Sequence, residues 1–191
     1  MKNQLTLKVL AILTMSGITA CRRDDLDEPP PPAANEEEVI TTVKLHFHSV
    51  GGSEHKHFMF ADIDGAGGNA PVIEADTLSN DSAYSVEIEL LNQSTSPEED
   101  ITSEVQAEGE DHQFFFQVSG ANATVTYSDS DVNGHPIGLM TYWSIGAAST
   151  GHVIVTLRHM PDKTAAGVSS GSITNAGGET DAEVTFPMVI D

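Results

Sequence analysis

Residues 84 to 90 read Tyr-Ser-Val-Glu-Ile-Glu-Leu, a strict alternation of apolar and polar side chains. Successive side chains of a β-strand point to opposite faces of the sheet, so this stretch predicts a strand with one buried and one solvated face. Similar short segments recur from residue 39 onward, separated by clusters of Gly, Asn, Asp and Ser. The chain therefore predicts an all-β fold, an antiparallel β-sandwich of about nine strands.

The predicted strands are residues 39–50, 53–61, 71–78, 83–92, 112–118, 123–129, 137–146, 151–160 and 181–190. One short helix is predicted at residues 97–108. It begins after Ser96, because Ser-Pro-Glu-Glu has the pattern of a capping box with proline at the first helical position and acids in the first turn.

Composition excludes several classes of function. The 191 residues include 29 Asp plus Glu and 8 Lys plus Arg, a formal net charge of −21. Such a chain repels phosphate backbones, and no basic patch is present to offset this, so we expect no nucleic-acid partner. A single cysteine excludes a disulfide framework and a Cys-rich zinc knuckle.

Residues 1–20 have the parts of a secretory signal peptide: lysines near the start, a short apolar run and small residues before Cys21. The run Ile-Thr-Ala-Cys at residues 18–21 resembles the bacterial lipobox, in which the signal is cut before a cysteine that is then acylated. That resemblance implies a protein held at the outer membrane by lipid on Cys21. Residues 21–38 are acidic and proline-rich, which predicts a tether, and residues 39–191 are the predicted sandwich domain.

Residues 36 to 190 resemble a family of small Bacteroidetes lipoproteins that carry the label "type 1 periplasmic binding fold superfamily protein". The stretches that carry the resemblance are Asp62 to Gly65, Asn69 to Pro71, HQFFFQVSG at 112–120, GAASTG at 146–151, LRHMPDK at 157–163 and SITNAGGETDAEVTFP at 172–187. The resemblance implies a cell-envelope location on the periplasmic or surface face, but no activity. Where the family has threonine and similar residues on the first hairpin, this chain has histidines.

Those histidines form the main predicted site. Residues 45 to 60 read LHFHSVGGSEHKHFMF, and Gly51-Gly52 predicts a two-residue type I′ turn. That turn would pair His48 with His55 and His46 with His57, and it would place all four on one face. Opposed side chains on a sheet are close enough for imidazoles to share one transition metal, so we predict a Zn or Cu site at His46, His48, His55 and His57. The alternative is a solvent-exposed polar strand face with no ligand.

Two acidic loops resemble the start of a calcium site, in which alternating carboxylates and a glycine let oxygens converge. Asp62 and Asp64 precede Gly65 and are possible calcium ligands. The second loop, residues 129–134, lacks the glutamate that would complete it and is more simply a hairpin turn.

No catalytic residue is predicted, and we expect the protein not to be an enzyme. Residues 167–171 match GxSxG, but they lie in a Ser/Gly/Asn-rich loop and not between a strand and a helix. His112, His152 and His159 fall on predicted strands among apolar residues and are expected to be structural.

Two classes of function remain. The first is a lipid-anchored protein that captures Zn or Cu and passes it to a TonB-dependent outer-membrane receptor, with haem capture by paired histidines as a variant. The second is a non-enzymatic structural or adhesion lipoprotein whose main property is its anionic surface.

Overall fold

A computed structural model describes residues 38–65 and 67–191 of the chain, and these residues belong to one compact unit. In them, ten strands pair antiparallel into two sheets, which confirms the predicted β-sandwich. The strands are β1 (Thr42–Ser49), β2 (His55–Ala61), β3 (Val72–Ala75), β4 (Ala83–Asn92), β5 (Glu99–Asp100), β6 (His112–Ser119), β7 (Ala123–Tyr127), β8 (Met140–Ile145), β9 (Ser149–His159) and β10 (Glu179–Ile190).

The larger sheet has the order β3-β2-β1-β4-β8-β7, and the short strand β5 pairs with β4. The smaller sheet has the order β10-β9-β6. Strand β4 lies inside the larger sheet, and its side chains alternate as its sequence predicts: Tyr84, Val86, Ile88 and Leu90 are buried between the sheets. An aromatic cluster fills the centre of this core, with Phe47, Phe58 and Trp143 in ring contact.

The first hairpin has the predicted pairing but a different turn. His46 pairs with His57 and His48 with His55, and Leu45 and Phe47 face the core on the opposite side. The predicted type I′ turn at Gly51-Gly52 is wrong, because only Gly51 has a positive φ, of 78°. The turn runs from Ser49 to Gly52, whose amide donates to the Ser49 carbonyl. The pairing is unchanged because the loop still closes between Ser49 and Glu54.

The helix is shorter than predicted and begins later. Helix α1 is Ile101–Ala107, and its N-cap is Asp100, whose carboxylate accepts a hydrogen bond from the Thr102 amide. Residues 99 and 100 pair with β4 as strand β5, so they are not free to form the first helical turn after Ser96. Ile101 and Val105 are buried against the sheet, as their spacing predicts.

Residues 161–178 form a loop that contains two short 3₁₀ helices, Val168–Ser170 and Ile173–Asn175. Val168 and Ala176 are fully buried together with Phe115 of the smaller sheet. The loop thus covers part of that sheet's outer face. The GxSxG residues belong to this packing, and the Ser169 hydroxyl donates to the Lys163 carbonyl.

Candidate metal centre

Two histidines lie opposite each other at one end of the smaller sheet. His112 is the first residue of β6 and His159 is the last of β9, and the two are partners in the strand register. Both side chains are on the face of the sheet that points to the core. The buried residues Phe114, two positions after His112, and Leu157, two positions before His159, lie on the same face. Two imidazoles are therefore placed on the buried face, where the pattern would otherwise put apolar side chains.

A β-bulge brings the first carboxylate to this pair. Strand β10 pairs with β9, and the register shifts between Thr180 and Ala182, which leaves Asp181 as the extra residue. A bulge bends its strand and re-aims the side chain at that position. The Asp181 carboxylate consequently reaches both histidines, at 3.7 Å from His112 Nε2 and 3.8 Å from His159 Nδ1.

The second carboxylate belongs to Glu38, which precedes β1 of the larger sheet. Glu38 Oε1 lies 3.1 Å from His112 Nε2. Glu38 was the last residue of the predicted tether, yet its side chain is only 6% exposed. The cluster is thus built from three strands of one sheet and from the segment that leads into the other sheet.

The four residues, Glu38, His112, His159 and Asp181, each offer a ligand atom within 4.8 Å of the other three. Four ligands at about 2.0 to 2.1 Å from a tetrahedral ion are separated by about 3.3 to 3.4 Å. Three of the contacts, at 3.1, 3.7 and 3.8 Å, are close to that value, although the two to Asp181 use different carboxylate oxygens. The widest pair is at most 4.8 Å apart, so this group can hold a metal ion once its ligand atoms close in by about 1 Å. It is the one group of three or more such ligands in the described ranges 38–65 and 67–191.

The protonation of His112 follows from its backbone partner. His112 Nδ1 lies 3.1 Å from the carbonyl oxygen of Glu108, which can only accept a hydrogen bond, so Nδ1 carries the proton. In the neutral ring, Nε2 then has a free lone pair, and it faces carboxylate oxygens that are also acceptors. Neither His112 Nε2 nor Glu38 Oε2 has a hydrogen-bond partner in the part of the chain that the structure describes. A cation between these atoms would satisfy both.

Contact with a backbone carbonyl is also the arrangement that orients metal-binding histidines. A ligating imidazole usually donates its other N–H to a carbonyl or carboxylate, which fixes the tautomer and the ring orientation. His112 has this partner in Glu108, at the C-terminal cap of α1. The side chain of His112 is fully buried, so the ring has little freedom to turn away.

The hairpin histidines occupy one exposed face, but their ligand atoms meet in pairs and not in a group of three. His48 Nδ1 lies 2.8 Å from His55 Nδ1, and the two rings are nearly perpendicular. His46 Nε2 lies 3.2 Å from Glu89 Oε2, a carboxylate that Lys44 also contacts. His57 Nδ1 lies 3.1 Å from Asp76 Oδ2. Two of the four predicted ligands thus have carboxylate partners.

One of the two possible calcium ligands, Asp64, holds its own loop together. Asp64 Oδ2 accepts hydrogen bonds from the amide and the side chain of Asn69, and the Asn69 backbone amide holds the pKa of the Asp64 carboxyl below its usual value. Asp62 Oδ1 is buried and has no hydrogen-bond partner in the described part of the chain. Calcium binding at this loop stays a prediction. In the other acidic loop, Asp131 is paired with Lys163.

Nothing in the sequence groups the four residues of the buried cluster. His112 and His159 are predicted to be structural, Glu38 falls in the predicted tether, and Asp181 belongs to none of the predicted sites. One signal was available: each histidine occupies a core-facing position of an otherwise apolar strand face. Strand pairing, which brings residues 112, 159 and 181 together, is not visible in any local pattern.

Comparisons with protein-family models, with curated proteins and with solved structures find no match to this chain. Cys21, the signal peptide and residues 21–37 of the predicted tether lie outside the described residues. Within residues 38–65 and 67–191, no helix is both long and apolar enough to cross a bilayer.

Proposed function

We propose that this protein is a lipid-anchored cell-envelope protein that binds a divalent transition metal, with Zn²⁺ as the preferred ion and Glu38, His112, His159 and Asp181 as its ligands. The single observation that carries the proposal is the orientation of His112. Its Nε2 lone pair points toward two buried carboxylates, with the ring tautomer fixed by the Glu108 carbonyl. A proton or a metal ion must lie among these atoms, and four converging ligands favour the metal ion.

Charge supports a divalent ion. Two carboxylates and two neutral imidazoles sum to −2, which a Zn²⁺ ion neutralises. Buried charges are costly unless they are paired or coordinate a metal, and these four side chains are 0% to 6% exposed. A monovalent ion would leave one negative charge in the protein interior.

Geometry favours zinc over copper at this site. Three ligands come from adjacent strands of one sheet and the fourth from the segment that leads into the other sheet, so we expect a non-planar set. Zn²⁺ accepts such a tetrahedral set of nitrogen and oxygen ligands, whereas Cu²⁺ prefers a tetragonal arrangement. Cu⁺ prefers sulfur ligands, and this group has none.

The test is zinc binding by residues 22–191, measured by competition with a chromogenic chelator and by elemental analysis of the dialysed protein. We expect one tightly held Zn²⁺ per chain. His112→Ala should weaken binding by more than the ~10- to 100-fold typical of losing an outer-shell partner. The matched control is His152→Ala, which removes an exposed histidine from β9 itself. Equal zinc affinity in His112→Ala and wild type would refute the assignment.

A second metal site on the first hairpin is supported by a specific observation, the contact between His48 Nδ1 and His55 Nδ1. In the metal-free chain the 2.8 Å separation fits an N–H···N hydrogen bond. Two nitrogens bound at about 2.0 Å in adjacent corners of a square are also about 2.8 Å apart, which is the tetragonal geometry of Cu²⁺. This exposed pair therefore suits copper, while the buried cluster suits zinc.

The cell-envelope location rests on the sequence of residues 1–38, and the transfer of metal to a TonB-dependent receptor is the extension that this location suggests. An exposed site on the hairpin would exchange its ion more readily than a buried one, as transfer requires. Haem capture needs an apolar pocket around the iron. The hairpin face instead has Glu89, Asp76 and Lys44 beside its histidines. We therefore favour free metal ions over haem.

A further inference from the structure

We propose that the ion in the buried cluster also acts as a clasp: it fixes the segment Glu38–Ile40 to the smaller sheet, so that metal occupancy controls whether this segment is docked. The inference rests on the proposed zinc site and adds a conformational consequence to it. Its basis is that three of the four ligands belong to one sheet, whereas the fourth belongs to the segment before the other sheet.

Three of the ligands are built into one rigid sheet, and the fourth is not. His112, His159 and Asp181 lie on adjacent strands that are hydrogen-bonded along their length. Glu38 lies four residues before Thr42, the first residue of β1 in the other sheet. An ion bound by all four thus cross-links the start of the larger sheet to the end of the smaller one.

Glu38 has few other attachments. Within residues 38–65 and 67–191, the earliest backbone hydrogen bond in the chain is donated by Thr41 to the Leu91 carbonyl. Val39 is 58% exposed, whereas Ile40 is partly buried and packs against the core. Among the described residues, the start of the segment before Ile40 thus depends on the Glu38 side chain for its position, and that side chain depends on the cluster.

Removal of the ion should weaken this attachment. Glu38 and Asp181 each offer an oxygen within 4.8 Å of the other, and like charges at that distance repel each other strongly in a buried environment. Asp181 is held by the bulge of β10, whereas Glu38 can move into water by rotation of a short, weakly bonded segment. Undocking of Glu38 relieves this repulsion without disturbing the strands of the smaller sheet.

The release would change the geometry of the predicted tether. An extended chain spans at most about 3.3 to 3.6 Å per residue, so freeing three residues adds about 10 Å of reach between the sandwich and Cys21. Coupling between the ion and the segment is also reciprocal: a partner that binds the released segment lowers the affinity of the site for metal. This reciprocity offers a route for releasing an otherwise buried ion.

The experiment is hydrogen–deuterium exchange of residues 22–191 with and without Zn²⁺, performed alongside the zinc titration. We expect zinc to slow amide exchange in a peptide covering residues 38–41 by about tenfold or more, with a smaller change in β4 at the sheet centre. In Glu38→Ala, zinc should bind more weakly through the three remaining ligands, and it should no longer slow exchange in that peptide.

The control is Glu183→Ala, which removes an exposed carboxylate from β10, the strand that carries Asp181. It should behave as wild type in both measurements. Zinc binding without slower exchange at residues 38–41, or with equal slowing throughout the sandwich, would overturn the clasp and leave the zinc site intact. Absence of zinc binding at saturating concentration would overturn both proposals.

Discussion

The rings of His112 and His159 stack with centroids 4.7 Å apart and an interplanar angle of 20°. The strand register sets the stacking, because the two residues are direct partners on β6 and β9. Two imidazole rings beside two carboxylates provide nitrogen and oxygen ligands together, and these are ligand types that Zn²⁺ accepts.

Zinc should stabilise the folded chain. A ligand that binds only the folded state adds about 2.7 kcal/mol of unfolding free energy at a concentration of 100 times its Kd. A domain of this size shifts its Tm by about 2 to 4 °C per kcal/mol, so we expect an increase of about 5 to 10 °C. This increase in Tm can be measured by differential scanning calorimetry with zinc and again after EDTA treatment.

The control for that shift is the Asp181→Asn variant, which keeps the size of the side chain and removes its charge. Its Tm should rise by less than half as much at the same zinc concentration. An equal rise in both proteins would place the stabilising ion elsewhere on the chain, and the exposed hairpin would be the next region to test.

The fold could be predicted because its determinants are local. The alternation from Tyr84 to Leu90 identifies both a strand and its buried face, and the two glycines after Val50 locate the hairpin even though the turn type differs. The start of α1 was misplaced because the pairing of residues 99 and 100 with β4 is a long-range contact. Such contacts outweigh a local capping pattern.

The buried cluster could not be predicted in the same way. Its residues are separated by up to 143 positions between Glu38 and Asp181, and only the sheet order brings them together. The four hairpin histidines lie within twelve consecutive residues, and a single turn was enough to predict their pairing. The grouping of residues on one hairpin can be predicted from the sequence. The grouping of residues from three strands and a separate segment cannot, because it depends on long-range strand pairing.

The buried ion pair between Asp131 and Lys163 should make the free energy of unfolding fall at acidic pH. Burial raises the pKa of Asp131, but the hydrogen bond and charge of Lys163, together with the backbone amides of His135 and Asn133, lower it by more, so the pKa lies below its usual value. This stabilisation is fully present above the unfolded pKa of about 3.9 and is lost as pH falls through the lower, folded pKa.

Asp131→Asn tests this pair. Lys163 is 4% exposed and also donates to the carbonyls of Gly109 and Pro136, so the variant leaves a buried ammonium without its counter-charge. We expect a loss of about 3 kcal/mol of unfolding free energy at pH 7 in urea titrations. The difference from wild type should begin to shrink below about pH 4, where Asp131 of the unfolded chain is protonated, and it should be smallest once pH falls through the lower pKa of the folded state. A constant difference at both pH values would contradict the pKa assignment.

Replacing Cys21, the proposed site of acylation, should leave the protein without its proposed membrane anchor. Lipid chains on Cys21 would hold the protein through burial of methylene groups, each worth about 0.8 kcal/mol. In fractionated cells, Cys21→Ala should appear in the soluble fraction, while wild type should sediment with the outer membrane. A Cys21→Ala protein that still sediments would show that another part of the chain attaches it.

The hairpin should bind Cu²⁺ through His48 and His55 more than through the other two predicted ligands. The contact between the two Nδ1 atoms already matches adjacent corners of a copper square, whereas His46 and His57 must first leave Glu89 and Asp76. In a His112→Ala background, which disables the buried cluster, we expect His48→Ala/His55→Ala to weaken Cu²⁺ binding more than His46→Ala/His57→Ala does. Electron paramagnetic resonance of the copper-loaded variants would count the nitrogen ligands. Equal copper affinity in the first double variant and its parent would exclude the His48–His55 pair as the copper site.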